Sequence, residues 1–255
     1  MTGFTSNSPW VVFPKTTTGR PRLFCFPYSG AGASVFFPWV GLLSNTCDVC
    51  AVQYPGRGTR LSEPLLTDLK VLVSGTVQGL LPFFQQPFAF FGHSLGALVA
   101  FELTRALRRD FGLQPLHLFV SGHHAPHLNY VSPLMYDLSD QEFIERLKKL
   151  NGMSPEFWES EELVNMMLPI LRADFTACET YTFNSEEPLD CPVTALGGLA
   201  DADVPRTSLE AWQEHTRGAF FVRMFPGDHF YLNDQRFPLV QSLARDLEAS
   251  QRLHR

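Results

Sequence analysis

From about residue 20 onward, short apolar runs alternate with turn-rich segments and amphipathic stretches. Residues 10–13 read as an edge strand after a polar N-terminal stretch. The runs 22–26, 49–54, 88–91, 116–121, 193–197 and 220–225 have strand length. Several are apolar throughout, the pattern of strands buried on both faces. Helical periodicity spans 65–81, 95–109 and 237–253, the second through Leu95, Leu98, Val99, Leu103, Ala106 and Leu107. Strands and helices in this rhythm predict βαβ units, hence an α/β fold with a mostly parallel sheet and helices on both faces.

The rhythm breaks between Ala125 and Pro188, where helix-like pieces rich in Met, Glu and Phe carry no strand candidate, starting from Pro126 and Pro133. Asp140-Gln141-Glu142 suits a helix start before Phe143, Ile144, Leu147 and Leu150, and Ser154-Pro155-Glu156 suits a second. The expected organisation is an α/β core of residues 1–124 and 189–255, with residues 125–188 inserted as a helical lid. Ordinary surface helices are the alternative.

Composition narrows the partners. With 45% hydrophobic and 18% charged among 255 residues, the chain has enough apolar surface to fold, which excludes intrinsic disorder. A net charge of −6 without a dense Lys/Arg block excludes a phosphate backbone, so no nucleic acid is expected. No apolar stretch approaches the ~18 residues of a membrane span, and the N-terminus lacks a basic-then-apolar export signal. A soluble, cytoplasmic protein is expected. The five cysteines are an odd set, and the Cys47/Cys50 pair lacks two further ligands at workable spacing, so reduced thiols and no metal are expected. The 23 phenylalanines enlarge the core; an apolar acyl channel is the other use for some of them.

Gly92-His93-Ser94-Leu95-Gly96 places a serine between an apolar strand and an amphipathic helix, the setting of a nucleophile elbow. Side chains at Gly92 and Gly96 would collide with the neighbouring strand and helix. A plain turn with a helix-capping serine is the alternative. A serine hydroxyl needs a base held in one tautomer by a carboxylate. His229, on the turn after the last strand candidate, is the expected base. His93 is expected to point elsewhere, His215 to sit on a helix and His254 at the chain end, while His123, His124 and His127 are surface-loop residues or touch the cleft. Asp201 and Asp203 both follow the penultimate strand candidate, Asp201 being the first choice for the acid. The order Ser94, Asp201, His229 is that of the nucleophile-elbow hydrolases. A tetrahedral oxyanion needs two backbone donors: Leu95 N–H, and Tyr28 or, second, Ser29 N–H in the loop after an early strand.

Four blocks carry a resemblance. Phe24-Cys25-Phe26-Pro27-Tyr28-Ser29-Gly30-Ala31-Gly32, Tyr54-Pro55-Gly56-Arg57-Gly58-Thr59-Arg60, Phe90-Phe91-Gly92-His93-Ser94-Leu95-Gly96-Ala97 and Pro226-Gly227-Asp228-His229-Phe230-Tyr231-Leu232 are similar to those of type II, or editing, thioesterases. The medium-chain acyl-carrier hydrolase of animal fatty acid synthesis is a close relative of that family. The resemblance spans nearly the whole chain and implies an α/β-hydrolase fold with a helical lid after the sixth strand. It implies Ser94 as nucleophile, His229 as base and Asp201 rather than Asp203 as acid. The implied substrate is an acyl group on the phosphopantetheine arm of an acyl or peptidyl carrier protein, with no permanently bound cofactor. Carriers are acidic, so docking calls for local basic charge, the candidates being Arg57, Arg60, Lys148, Lys149 and Arg172, with Ser29 as a further substrate contact. Arg57 and Arg60 have structural hydrogen bonding as the alternative. One departure is Asp228, where the family usually has glycine; if the position needs positive φ, Asp tolerates it, and its charge bears on His229. A carboxylesterase or acyl-CoA thioesterase with the same triad, and a non-catalytic binding module on a hydrolase scaffold, are the competing readings.

Overall fold

The computed structural model describes residues 4–14, 19–128 and 134–253. Pro133 and His254 lie outside them. One sheet contains β1 (Phe4–Ser8), β2 (Val11–Pro14), β3 (Arg22–Phe26), β4 (Asp48–Val52), β5 (Phe88–His93), β6 (Leu118–Ser121), β7 (Val193–Gly198) and β8 (Phe220–Phe225), in the order β1-β2-β4-β3-β5-β6-β7-β8. β1 and β2 join antiparallel; every pair from β4 to β8 is parallel. The expected α/β fold is present. The edge strand is β1, not the segment at 10–13: β2 lies inside, between β1 and β4. The Phe-Thr-Ser-Asn-Ser sequence of β1 carries no apolar run to reveal it.

The helices are α1 (Trp39–Leu43), α2 (Leu69–Leu80), α3 (Leu95–Phe111), α4 (Asp140–Lys149), α5 (Pro155–Glu159), α6 (Glu161–Glu179), α7 (Arg206–Glu210), α8 (Tyr231–Asp234) and α9 (Arg236–Leu253). The period-two geometry of a strand sorts the core into two layers. Phe24, Phe26, Phe88, Phe90, Leu118 and Val120 face α2 and α3, while Leu23, Cys25, Ala89, Phe91 and Phe119 face α1 and α9. This explains the continuous apolar runs: both sets are buried. It also accounts for much of the phenylalanine, since Phe24, Phe84, Phe88 and Phe90 meet tilted or edge-on inside the first layer, with ring centroids 5.1 Å apart for Phe24–Phe84 and 4.5 Å for Phe84–Phe88.

Local signals set the helix ends. Asp68 caps α2 by accepting from Lys70 N–H at 2.7 Å. Ser139 and Glu142 form a capping box at the start of α4, as the run of acidic residues there predicts. α4, α5 and α6 lie between β6 and β7 and share a small apolar cluster of their own, including Phe143, Leu147 and Leu171. Among the described residues no helix is long and apolar enough to cross a membrane.

Candidate active site

Parallel register aligns the C-terminal ends of the central strands, with Phe26 opposite Gly92, His93 opposite Ser121 and Ser121 opposite Leu196. The loops leaving that edge carry Tyr28, Ser94, His123, Asp201 and His229. Side chains far apart in sequence are thereby delivered to one rim, where open α/β sheets bind ligands.

Ser94 joins β5 to α3 with φ 53 and ψ −121, a conformation that costs a non-glycine residue on the order of 1–3 kcal/mol. The surroundings impose it. Ser94 N–H donates to Ser121 O at 2.7 Å. A β-carbon on Gly92 would lie 2.0 Å from Gly96 O, and one on Gly96 would lie 2.1 Å from Phe26 O. Both contacts are with backbone, so the strand, the turn and the helix approach each other only where these two residues are glycine. The same approach sets the first turn of α3, including Leu95 N–H, beside the exit of β3 and the Tyr28 loop. First-turn N–H groups have no acceptor within their helix, which leaves them for an anion.

Asp201 Oδ2 accepts from His229 Nδ1 at 2.8 Å, and Oδ1 accepts from the N–H groups of Asp203 and Val204 at 3.1 Å each. A carboxylate only accepts, so Nδ1 holds the imidazole proton and Nε2 holds the lone pair, ready to take a proton from a hydroxyl. Asp201 is buried, whereas Asp203 is exposed and lies 3.8 Å from Arg146. The structure brings Asp201, not Asp203, to His229.

His93 does not point away from the site. It is fully buried, its ring centroid lies 4.9 Å from that of His229, and its Nδ1 bonds Ser121 Oγ at 2.8 Å. Burial holds its pKa well below the ordinary histidine value, and the neighbouring His229 and His123 push the same way. A neutral ring thus backs the candidate base. His123 and His124 reach the cleft, but His127 does not line it, and its Nδ1 pairs with Nε2 of the buried His215 at 2.7 Å. His123 donates from Nδ1 to His124 O at 2.7 Å, and its Nε2 lies 3.6 Å from Cys178 Sγ.

Two cavities meet at Ser94 and His229. The larger, about 370 Å³, is walled by Ser29, His123, Phe175, Cys178 and Val204. The smaller, about 50 Å³, is a slot between Tyr28, Trp158, Leu171 and Phe230. Ser29 lines both. Phe175 and Phe230 are the phenylalanines at these walls among the described residues, while many of the others pack in the core.

The basic candidates divide. Arg57 is 5% exposed and forms a two-pronged pair with Asp174 of α6, Nη2 to Oδ1 being 2.7 Å. Arg60 is 6% exposed, pairs with Glu63 and donates to Gln53 O. Neither presents charge to a docking partner; they carry the structural hydrogen bonds that were the alternative. Arg172 is committed to Tyr136 O, Leu138 O and Asp140. Lys148 and Lys149 are exposed. At Asp228 the positive φ falls one residue earlier, on Gly227 at +117. The Asp228 carboxylate accepts from Phe230 N–H at 2.8 Å and from Asn151 Nδ2 at 3.1 Å, tying its turn to the α4–α5 connection. Asp174 was the residue invisible from local sequence. Its only signal is an acid at helical spacing from Leu171 and Ala177, on the apolar side of α6.

A family model described as thioesterase domain matches residues 21–250. The linear gramicidin dehydrogenase LgrE of Brevibacillus parabrevis is 44% identical over 96% of this chain and 94% of its own length. The thioesterase PikA5 of Streptomyces venezuelae is 41% identical over 89% of this chain and 80% of its own. Among solved structures, the type II thioesterase BorB from the borrelidin biosynthetic cluster superposes with a TM-score of 0.86 at 36% identity, covering 95% of this chain and 99% of BorB.

Proposed function

The chain belongs to the thioesterase domain family, and we propose that it is a cytoplasmic serine hydrolase that removes acyl groups from the phosphopantetheine arm of acyl or peptidyl carrier proteins, clearing stalled or aberrant units from a polyketide or nonribosomal peptide synthase. One observation carries this reading: a strained serine and an imidazole whose Nδ1 proton is tied to a buried carboxylate open onto the same cavities.

In the proposed cycle, His229 Nε2 takes the Ser94 proton and the alkoxide attacks the thioester carbonyl. Leu95 N–H and Tyr28 N–H hold the oxyanion, and the pantetheine thiol leaves with the proton. His229 then activates water, which releases the acid and restores Ser94. A thiol of pKa ~8.5 leaves readily, so the base matters most in deacylation. Two cavities meeting at Ser94 suit a thioester, which has an acyl and a pantetheine arm, and residues 125–188 act as the lid over them. The phosphopantetheine arrives with the substrate, so the cycle needs no permanently bound cofactor. LgrE is named as a dehydrogenase, but here the loop after β3 closes as a turn, Ala31 N–H on Tyr28 O, and Ala33 N–H is taken by Gln53 Oε1. A pyrophosphate cradle would need those amides open at a helix start.

The test compares kcat/KM for an acyl carrier protein, the matching acyl-CoA and a p-nitrophenyl ester. The carrier is expected to be the best substrate; equal or faster turnover of the CoA thioester or the ester would favour the acyl-CoA thioesterase or carboxylesterase reading. Ser94→Ala should lose on the order of 10³-fold or more in kcat with the fold kept.

A further inference from the structure

Asp174 stands one helical turn after Leu171 in α6, and both side chains are buried, Asp174 to 2% exposure. Its Oδ2 accepts from Gly30 N–H at 2.7 Å as well as from Arg57 Nη1 at 2.5 Å, while Oδ1 takes Arg57 Nη2. Gly30 belongs to the turn that follows β3, closed by Ala31 N–H on Tyr28 O at 3.0 Å, with φ +79 at Gly30 as a type II turn requires. Leu171 covers this turn, since a β-carbon on Gly30 would lie 2.7 Å from Leu171 Cδ2. From the core side, Gln53 Oε1 accepts from Ala33 N–H at 3.0 Å and Gln53 Nε2 donates to Arg57 O at 3.0 Å. The loop bearing Tyr28 and Ser29 is therefore clamped between the core and α6.

A guanidinium–carboxylate pair this buried gives up most of its hydration, and apolar residues of like volume often serve stability as well or better. What the charged pair adds is a fixed direction: it aims one carboxylate oxygen at Gly30 N–H. We propose that Asp174 is a positioning residue for the oxyanion turn, so that the Tyr28 and Ser29 amides take their working geometry only when α6 is docked. The inference rests on the Ser94 thioesterase reading. Because coupling is reciprocal, an oxyanion mimic bound at Ser94 favours the docked α6 in turn.

Two variants separate positioning from a purely structural role. Arg57→Met/Asp174→Leu removes both charges and costs chiefly the acceptor of Gly30 N–H, so its melting temperature should fall by only a few °C. Its kcat should fall about 10- to 100-fold, part of the ~10²–10³ lost when an oxyanion donor is deleted outright. KM for the acyl carrier protein should hold, and affinity for an alkyl boronic acid, whose serine adduct is tetrahedral, should fall in step with kcat/KM. Asp174→Asn strips Arg57 of its counter-charge and of the bond from Nη2, and melts lower still, yet its amide oxygen still reaches Gly30 N–H, so it should keep more of kcat than the double variant. Wild-type kcat in the double variant, or activity that follows melting temperature across the two, would overturn the proposal. Should neither variant fold, hydrogen exchange on the wild type decides: the boronic acid should raise protection at Gly30–Ala31 and in α6 together, and protection of the turn alone would overturn it. An active Ser94→Ala would instead mark failure of the underlying reading.

Discussion

Asp201 divides its carboxylate between two tasks, and the division makes Asp201→Asn an informative perturbation. Oδ1 accepts from two backbone N–H groups at 3.1 Å, and Oδ2 from His229 Nδ1 at 2.8 Å. In the asparagine the amide oxygen must stay with the backbone pair, because an NH₂ there would face two donors. The NH₂ then turns to His229. A donor opposite Nδ1 selects the tautomer with its proton on Nε2, and that nitrogen no longer accepts from Ser94. The expected loss is about 10⁴-fold in kcat, or ~5.5 kcal/mol of transition-state stabilisation. Volume and both backbone bonds survive, so the melting temperature should fall by only a few °C, about 1 kcal/mol. Initial rates of thiol release from an acyl thioester, read beside a melting curve, give both numbers. Asp203→Asn is the control: its exposed pairing with Arg146 at 3.8 Å is worth ~1 kcal/mol or less. Near-wild-type kcat in Asp201→Asn together with an inert Asp203→Asn would refute the reasoning and move the acid to Asp203.

Three further outcomes follow from the same geometry. Gly96→Ala sets a methyl 2.1 Å from Phe26 O and 2.6 Å from Phe26 C, which only a backbone shift relieves; a loss on the order of 3–5 kcal/mol is expected in urea denaturation, and wild-type stability would contradict it. His117 and His123 are each pushed down to about 3, chiefly by burial, so below pH ~6.5 the unfolded chain binds protons there that the folded chain refuses. Stability present at neutral pH is then lost as pH falls from about 6.5 toward 3, by up to about 1.4 kcal/mol per pH unit for each histidine, and His117→Gln should flatten the slope measured between pH 7 and 5. Asp228→Ala removes the acceptor of Phe230 N–H and the Asn151 contact, so about 1 kcal/mol of stability should go with kcat nearly kept; a loss of kcat beyond about 100-fold would mean that Asp228 acts on His229.

The legible parts of this chain are those whose causes are local. The run 22–26 reads as a strand because burial on both sheet faces demands apolar residues in sequence, whereas 220–225 is mostly half-buried, with Phe221 exposed, and reads as one from its apolar side chains alone; the two match β3 and β8 residue for residue. The elbow reads from its pattern because the crowding that requires Gly92 comes from Gly96 and Ala97, within five residues of it, whereas the crowding that requires Gly96 comes from Phe26 and Pro27 at the exit of another strand. β1 was hidden because its polar sequence has no apolar run to show. α6 was not separated from the preceding helix, although Ser160 caps it by accepting from Leu163 N–H at 3.3 Å, and Pro169 inside it obscures the period. The pairing of Arg57 with Asp174 joins residues 117 apart, and no spacing rule announces it. The place of His93 has a related cause: adjacent side chains in a strand diverge, but Ser94 has already left the strand for the turn, and His93 lies against His229.

The most direct test of the account is to trap the acyl-enzyme. Incubation with a slowly hydrolysed acyl carrier substrate, a rapid acid quench and peptide mass analysis should show one acyl mass increment per chain, on the peptide holding Ser94 and abolished by Ser94→Ala. Turnover with no covalent species, or an increment on Cys178 across the same cavity, would contradict it.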